Sequence, residues 1–337
     1  MLTVSVPFPQ NPVTGSGAPF VREISSIGHT DKTKYNCLPV CKNMMLKSPI
    51  IAVVGGLNMD LVFQIERMPI QGESMDSRSL NYLPGGKGAN TAVATYRASH
   101  DNPKSVEQSA NVKAGAVKRS SRSGRAEDVR VFMNGAVGGD DYGAQLKSRL
   151  RENFIDTTGV LTDPEAKSGT CVVLVSLFEG DSRNVGQQGA NRKYTPREPF
   201  RVENLAGKTK EKPDLVITHL GITVDAAKKV LEIAKNSGVD TILNPSPTEF
   251  LTDATYDNVT HLILNEQEAA ELSNKSVDDF IDPNIRLATV QDFIKKGAKF
   301  VILTLASRGA YFATSEGEHG HVPAVPDVEP KDSTGAG

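Results

Sequence analysis

Cysteine is scarce in this chain of 337 residues, where Cys37, Cys41 and Cys171 are the full set. An odd and sparse set excludes a disulfide-stapled scaffold and suits a reducing compartment, so a cytoplasmic setting is expected, with the nucleus left open. Cys37 and Cys41 stand four apart without a second Cys/His pair beside them, too few ligands for a structural zinc. Charge of one sign is also missing. Lys and Arg total 38 against 40 Asp and Glu, a net charge of −2, and no global basic field points to nucleic acid. No run of eighteen apolar residues occurs, which excludes a spanning helix and with it a membrane partner. Residues 1–48 lack a sustained hydrophobic period and are expected to form a disordered extension. That stretch has no apolar core of a secretory signal, and its single Arg22 with Glu23 and Asp31 does not fit a transit peptide. Met44 and Met45, just before the first strand, offer an alternative start.

What is present begins at residue 50. "IIAVVGG" (50–56) is a short apolar run ending in glycines, the pattern of a buried parallel strand. Two polar-flanked strand segments follow within 61–83, around the turn signal "PIQGE". "GGKGANTAVATYRAS" (85–99) then leads small residues into Ala92, Val93 and Tyr96 at helical spacing. Residues 100–128 are polar, basic and Ser/Gly-rich, which predicts a solvated, disordered surface insertion; no aromatics interleave its charges as a single-strand binder would need. Beyond it the pattern predicts a strand at 129–137, a helix with Tyr142, Leu146 and Leu150 on one face, and a strand at 171–178. Further strands are predicted at 214–220, 240–244, 261–265 and 299–305, with helices over 224–238, 266–273 and 289–297. Such alternation argues for a mainly parallel sheet covered by helices on both faces, with ligands bound beyond the carboxyl ends of its strands.

Those strand ends carry a polar set: "GGLNMD", "NPSPTE", "NEQE", "TLASRGA" and, last, "DSTGAG". Asn58 and Asp60 have two readings: turn caps, or, spaced two apart on extended chain, a pair that chelates a vicinal diol. "GGKGAN" packs small residues around Lys87 where a ligand can approach backbone. It is not a Walker A loop, since position 81 is Asn and position 88 is Gly, and "GGLNMD" is not a dinucleotide fingerprint. "DSTGAG" reads as a nest of free N–H groups at a helix start, suited to a phosphate in transfer. His319 and His321 read as a solvent-facing hairpin turn, His219 and His261 as satisfied core histidines, and "GAVGGDDYG" (135–143) as a strand-to-helix turn with an Asp N-cap.

Taken together, "GGLNMD", "PGGKGANTA", "NPSP", "NEQEA", "TLASRGA" and "DSTGAG" occur in the order found in the ribokinase (PfkB) family of carbohydrate kinases, which the chain resembles over residues 50–337. The resemblance implies a three-layer α/β/α sandwich with a mainly parallel central sheet and a small β-lid, here about 61–83 and 171–190, in a kinase domain spanning 49–337. It implies ATP-dependent phosphorylation of D-ribose at the 5-hydroxyl, with Mg²⁺ and an activating monovalent cation, K⁺. By position, Asn58 and Asp60 would hold sugar hydroxyls, and Gly86, Lys87, Gly88, Ala89 and Asn90 would close round the sugar. Asn265 and Glu268 would order the phosphates, Glu268 holding Mg²⁺ through water. Asn191, Thr304, Ala306, Ser307 and Gly309 would line the nucleotide pocket. Asp332 and Thr334 would bind the monovalent cation, and Gly335, Ala336 and Gly337 would form the anion hole. Pairing through the lid would make a homodimer.

The match has departures. In the family the catalytic base is the Asp directly after G-A-G; here the chain stops on Gly337, and the expectation is a C-terminally incomplete, inactive chain. Gly221 stands where the family has a Glu that helps hold ribose. The loop 183–191 is short, and Ala306 replaces a common Gly. A nucleoside or another sugar as substrate, or a sugar-binding chain without turnover, therefore stay open.

Overall fold

The computed structural model describes residues 48–100, 129–178, 182–196, 198–249 and 251–326. Residues 1–47 of the expected extension, 101–128 of the expected insertion, and the "DSTGAG" residues Asp332, Thr334, Gly335, Ala336 and Gly337 lie outside them.

Nine described strands form one sheet. β1 (Ile50–Val54), β4 (Arg130–Gly138), β5 (Asp156–Asp163), β8 (Leu215–His219), β9 (Asp240–Asn244), β10 (His261–Asn265) and β11 (Phe300–Thr304) all run parallel. β12 (Ala310–Thr314) and β13 (His319–Val322) add an antiparallel edge. The spatial order is β13-β12-β11-β10-β9-β8-β1-β4-β5. From β1 the chain builds outward to β4 and β5, then returns to the other side of β1 for β8 onward. The reversal between β1 and β8 is a topological switch point, where a crevice opens at the carboxyl ends.

Alternation along the strands divides the core into two layers. Ala52 and Val54 face one side of β1 and Val53 the other; Val216 and Ile217 do the same on β8. The Val53 side is covered by α1 (Lys87–Ser99) and α2 (Asp141–Glu152), through Ala89, Ala92, Leu146 and Leu150. The opposite side is covered by α3 (Val224–Asn236), α4 (Asp253–Tyr256), α5 (Glu266–Ser273) and α6 (Pro283–Lys295). This is the expected three-layer sandwich.

Local chemistry explains the helix ends. α2 starts where Asp140 accepts from the Gly143 amide at 2.9 Å, as an N-cap does, and the same carboxylate takes Ser168 N at 2.9 Å and Ser168 Oγ at 2.6 Å. α3 begins at the Thr223 cap and buries Ala226, Ala227, Val230, Leu231 and Ala234 on one face. α6 starts six residues earlier than periodicity predicts, because Asp282 caps it and Pro283 fits the first turn.

A second sheet stands apart. β2 (Asn58–Ile65), β3 (Ser79–Gly85), β6 (Gly169–Ser176) and β7 (Ser182–Gln187) pair in the order β3-β2-β6-β7. Leu80, Tyr82, Leu83 and Val185 on its strands are exposed, as is Phe178 just after β6.

Two histidine readings need correction. His319 and His321 lie on strand β13, not in a turn; the turn precedes them at Ser315–Gly317, and they bond Tyr311 Oη at 3.0 Å and the Arg308 carbonyl at 2.6 Å. His261 stacks on Phe300, but its buried Nδ1 has no partner among the described residues.

Candidate active site

The crevice at the switch point is walled by backbone. Gly56 follows β1 and Gly221 follows β8, and a Cβ built on Gly221 would sit 3.1 Å from Gly56 N. The site therefore has no side chain where the family resemblance expects a glutamate. Gly86, at φ 92°, turns the chain from β3 into α1; a Cβ there would lie 2.7 Å from both Asn58 N and Gly56 O, a position only glycine occupies without strain. Gly88 and Ala89 are buried against the sheet, while Lys87 and Asn90 point outward from the first turn of α1. Lys87 makes no ion pair with a described residue.

Asn58 and Asp60 alternate on the same face of β2, beside that turn. Asn58 Oδ1 accepts from Asn191 Nδ2 at 2.8 Å, which leaves the Asn58 amide hydrogens outward. Asp60 is half-buried and accepts no hydrogen bond from a described residue, and burial alone pushes its carboxyl up to about 6. A desolvated carboxylate without a partner is costly unless a donor arrives. Vicinal hydroxyls are such donors.

Asn191, expected at the nucleotide pocket, is fully buried: Oδ1 accepts from Leu57 N at 2.9 Å, and Nδ2 donates to Leu57 O at 3.0 Å and to Asn58. Both amide hydrogens are spent on holding the start of β2. Gly169 makes the contact possible, since a Cβ there would overlap both Asn191 Nδ2 and Asn58 Oδ1.

At the far side of the crevice, Asn265 and Glu268 form the capping box of α5. Asn265 Oδ1 accepts from Glu268 N at 2.8 Å, and Glu268 Oε2 accepts from Asn265 N at 3.0 Å. Asn265 Nδ2 and Glu268 Oε1 remain outside the box, beside the free amides of a helix N-terminus. β11 ends at Thr304, whose Oγ1 donates to Leu264 O at 3.3 Å, and a single 3₁₀ turn, Ala306–Arg308, follows. Arg308 pairs with Glu266 and so ties this turn to the start of α5. Ala306 adopts φ 49° and Gly309 φ 91°, with Ala306 and Ser307 exposed at the rim. Among the described residues no three His, Cys, Asp or Glu side chains converge to cage a metal. Magnesium does not need such a cage; it keeps waters and takes one or two carboxylates plus phosphates, which the open Glu268 Oε1 fits.

Between the two sides lies His219, at the end of β8. The sequence reads it as a satisfied core histidine, and it is buried and satisfied, by Thr91 Oγ1 at 2.9 Å and Asn244 Oδ1 at 3.2 Å. Burial drives its pKa down to about 4, with Lys87 adding in the same sense against Asn244 and Glu268. No local pattern marks these partners, which lie 128 and 25 residues away.

Residues 49–337 match the model of the pfkB family carbohydrate kinases. The chain belongs to this family. A ribokinase of Bacillus subtilis (strain 168) is 31% identical over 288 residues, covering 85% of this chain and 81% of that protein. A deoxyribokinase of Salmonella typhi is 28% identical over 288 residues, with 85% and 81% covered. The solved structure of Arabidopsis thaliana ribokinase complexed with ribose and ATP aligns with TM-score 0.67 and 21% identity, covering 86% of this chain and 82% of that one, and shows the shared fold. As a pfkB family member the chain is an ATP-dependent carbohydrate kinase. No described helix is long and apolar enough to cross a membrane.

Proposed function

We propose that the chain transfers the γ-phosphate of ATP to the 5-hydroxyl of D-ribose. The unpartnered, desolvated carboxylate of Asp60, beside Asn58 on one strand face, carries this reading, because it lacks the hydrogen-bond donors that a sugar supplies. Asn58 and Asp60 hold sugar hydroxyls, and Gly86–Asn90 close over the ring, with Lys87 and Asn90 donating. Asn265 Nδ2 and the amides opening α5 take phosphate oxygens, and the turn from Thr304 to Gly309, with Ala306 and Ser307, borders the base of the nucleotide. Glu268 Oε1 holds Mg²⁺ through water; the ion supplies charge neutralisation of the transferring phosphate. Asp332 and Thr334 are assigned to K⁺, and Gly335, Ala336 and Gly337 to the anion hole. The sugar hydroxyl also needs a base to accept its proton during transfer. The exposed apolar face of the four-stranded sheet is assigned to a second copy of the chain, and a cytoplasmic setting fits the sparse cysteines.

A second reading, 2-deoxyribose, has one observation in its favour: Gly221 removes a sugar ligand that the resemblance to ribokinases expects. Calorimetric titration of the chain with D-ribose, 2-deoxy-D-ribose and adenosine tests both. The ribose reading predicts D-ribose bound at least about tenfold tighter than 2-deoxyribose, roughly one well-made polar contact. Equal affinity transfers the assignment to deoxyribose, and adenosine binding alone removes it from free sugars.

A further inference from the structure

Four side chains, two on neighbouring strands and two on helices, join in a row across the site. Thr91 stands on α1, which packs against β1, β4 and β8; His219 ends β8; Asn244 ends β9; Glu268 lies in the first turn of α5, after β10. The contacts are consecutive: Thr91 Oγ1 to His219 Nε2 at 2.9 Å, His219 Nδ1 to Asn244 Oδ1 at 3.2 Å, and Asn244 Nδ2 to Glu268 Oε2 at 3.0 Å.

The direction of every hydrogen follows from the last link. Asn244 Nδ2 faces two acceptors, Glu268 Oε2 and the Ile263 carbonyl at 3.1 Å, so its oxygen must be the atom toward His219. An amide oxygen only accepts, so His219 carries its hydrogen on Nδ1. A neutral ring then leaves Nε2 as an acceptor, and Thr91 donates. All three hydrogens point toward the Glu268 carboxylate, a polarised chain in which each bond strengthens its neighbours. With its pKa near 4, His219 stays neutral above that pH, and the direction is kept.

We propose that His219 is a positioning residue that links the sugar side of the crevice to its phosphate side through Thr91, Asn244 and Glu268. This rests on the sugar-kinase reading, in which Asn90, the neighbour of Thr91, touches sugar and Glu268 serves the phosphates. Sugar bound against the first turn of α1 fixes the Thr91 hydroxyl. That fixes the ring and the Asn244 amide, and so holds Glu268 Oε2 in the capping box with Oε1 turned outward. By reciprocity, a phosphate ligand that orders Glu268 favours the sugar-ready turn.

The test is binding alone. The affinity of the chain for D-ribose is measured by calorimetry without and with saturating MgADP, which cannot react. The wild-type chain is expected to bind ribose about fivefold or more tighter with MgADP, the lower range of ordinary coupling. His219→Ala and Thr91→Val are expected to bring that ratio within about twofold of unity, while the affinity for each ligand alone changes by less than about threefold. Thr91→Ser, which keeps the hydroxyl, retains the ratio. Thr91→Val preserves shape and serves if His219→Ala does not fold. Coupling that survives both variants overturns the relay, as does a wild-type chain that binds both ligands without coupling. A wild-type chain that binds no ribose overturns the sugar-kinase reading itself, and the relay with it.

Discussion

Asp60 sets stability against binding at a single atom pair. In the unfolded chain its carboxyl has an ordinary acidic pKa of 3.8; folded, burial raises it to about 6. Below about pH 4 both states are neutral there, and nothing is lost. As pH rises from about 4 to 6 the unfolded chain releases its proton first, so stability falls, and above pH 6 the folded chain carries the whole cost. Asp60→Asn is therefore expected to raise the melting temperature at pH 8 and to make little difference at pH 4, while ribose affinity falls at least about a hundredfold, as for a lost charged hydrogen-bond partner. In the unaltered chain, ribose affinity should fall about tenfold for each pH unit below 6, as protons compete for the carboxylate. A melting temperature at pH 8 that drops in Asp60→Asn would show that the carboxylate has a partner within the fold. At Gly169 the two move together: Gly169→Ala displaces Asn191 and Asn58 and lowers both stability and ribose affinity. Asn58 and Asp60 were legible as a pair from their spacing. The true partner of Asn191 was not, because a G-A-N match records sequence neighbours and the contact is made 133 residues away.

At the scale of elements, α5 was legible to the residue, since the N-x-x-E that suggests phosphate chemistry is also a helix start. The double use can be separated. Asn265→Asp keeps an acceptor for Glu268 N, so its melting temperature should stay within a few degrees of wild type. It replaces the outward amide hydrogens with charge, and ADP affinity should fall about tenfold or more, consistent with a lost charged contact. Asn265→Ala should lose both, with about 1 kcal/mol of cap stability. Unchanged ADP affinity in Asn265→Asp would leave the residue as a cap alone. The 3₁₀ turn after β11 offers a second case. Ala306 holds a left-handed backbone at φ 49°, which costs an L-residue roughly 1 kcal/mol; Ala306→Gly should leave stability equal or higher by differential scanning calorimetry. β5, β12 and β13 were missed in the sequence. β5 carries Asp, Thr and Gly, and β13 carries two histidines and a glycine, so neither shows the apolar run that marked the central strands; each is a sheet edge with one side open.

For the whole molecule, the parallel core and both helical layers were legible because βαβ alternation constrains topology strongly. The His219 link was not, since it exists only once α1, β8, β9 and α5 are brought together. The four-stranded sheet exposes Tyr82, Leu83 and Val185. Apolar exposure on that scale, next to a site, fits a two-fold interface. Light scattering should return twice the monomer mass, and Val185→Asp should return the monomer mass. A monomer in both cases would remove the second copy from the account. The central claim is tested most directly by product identification. The chain is incubated with D-ribose, ATP, Mg²⁺ and K⁺, and the product is examined by phosphorus–proton correlation NMR. The account predicts a phosphomonoester coupled to the C5 protons of ribose, lost in Asp60→Asn. ATP turnover that is indifferent to D-ribose, or a phosphorylated product that survives Asp60→Asn unchanged, would contradict it.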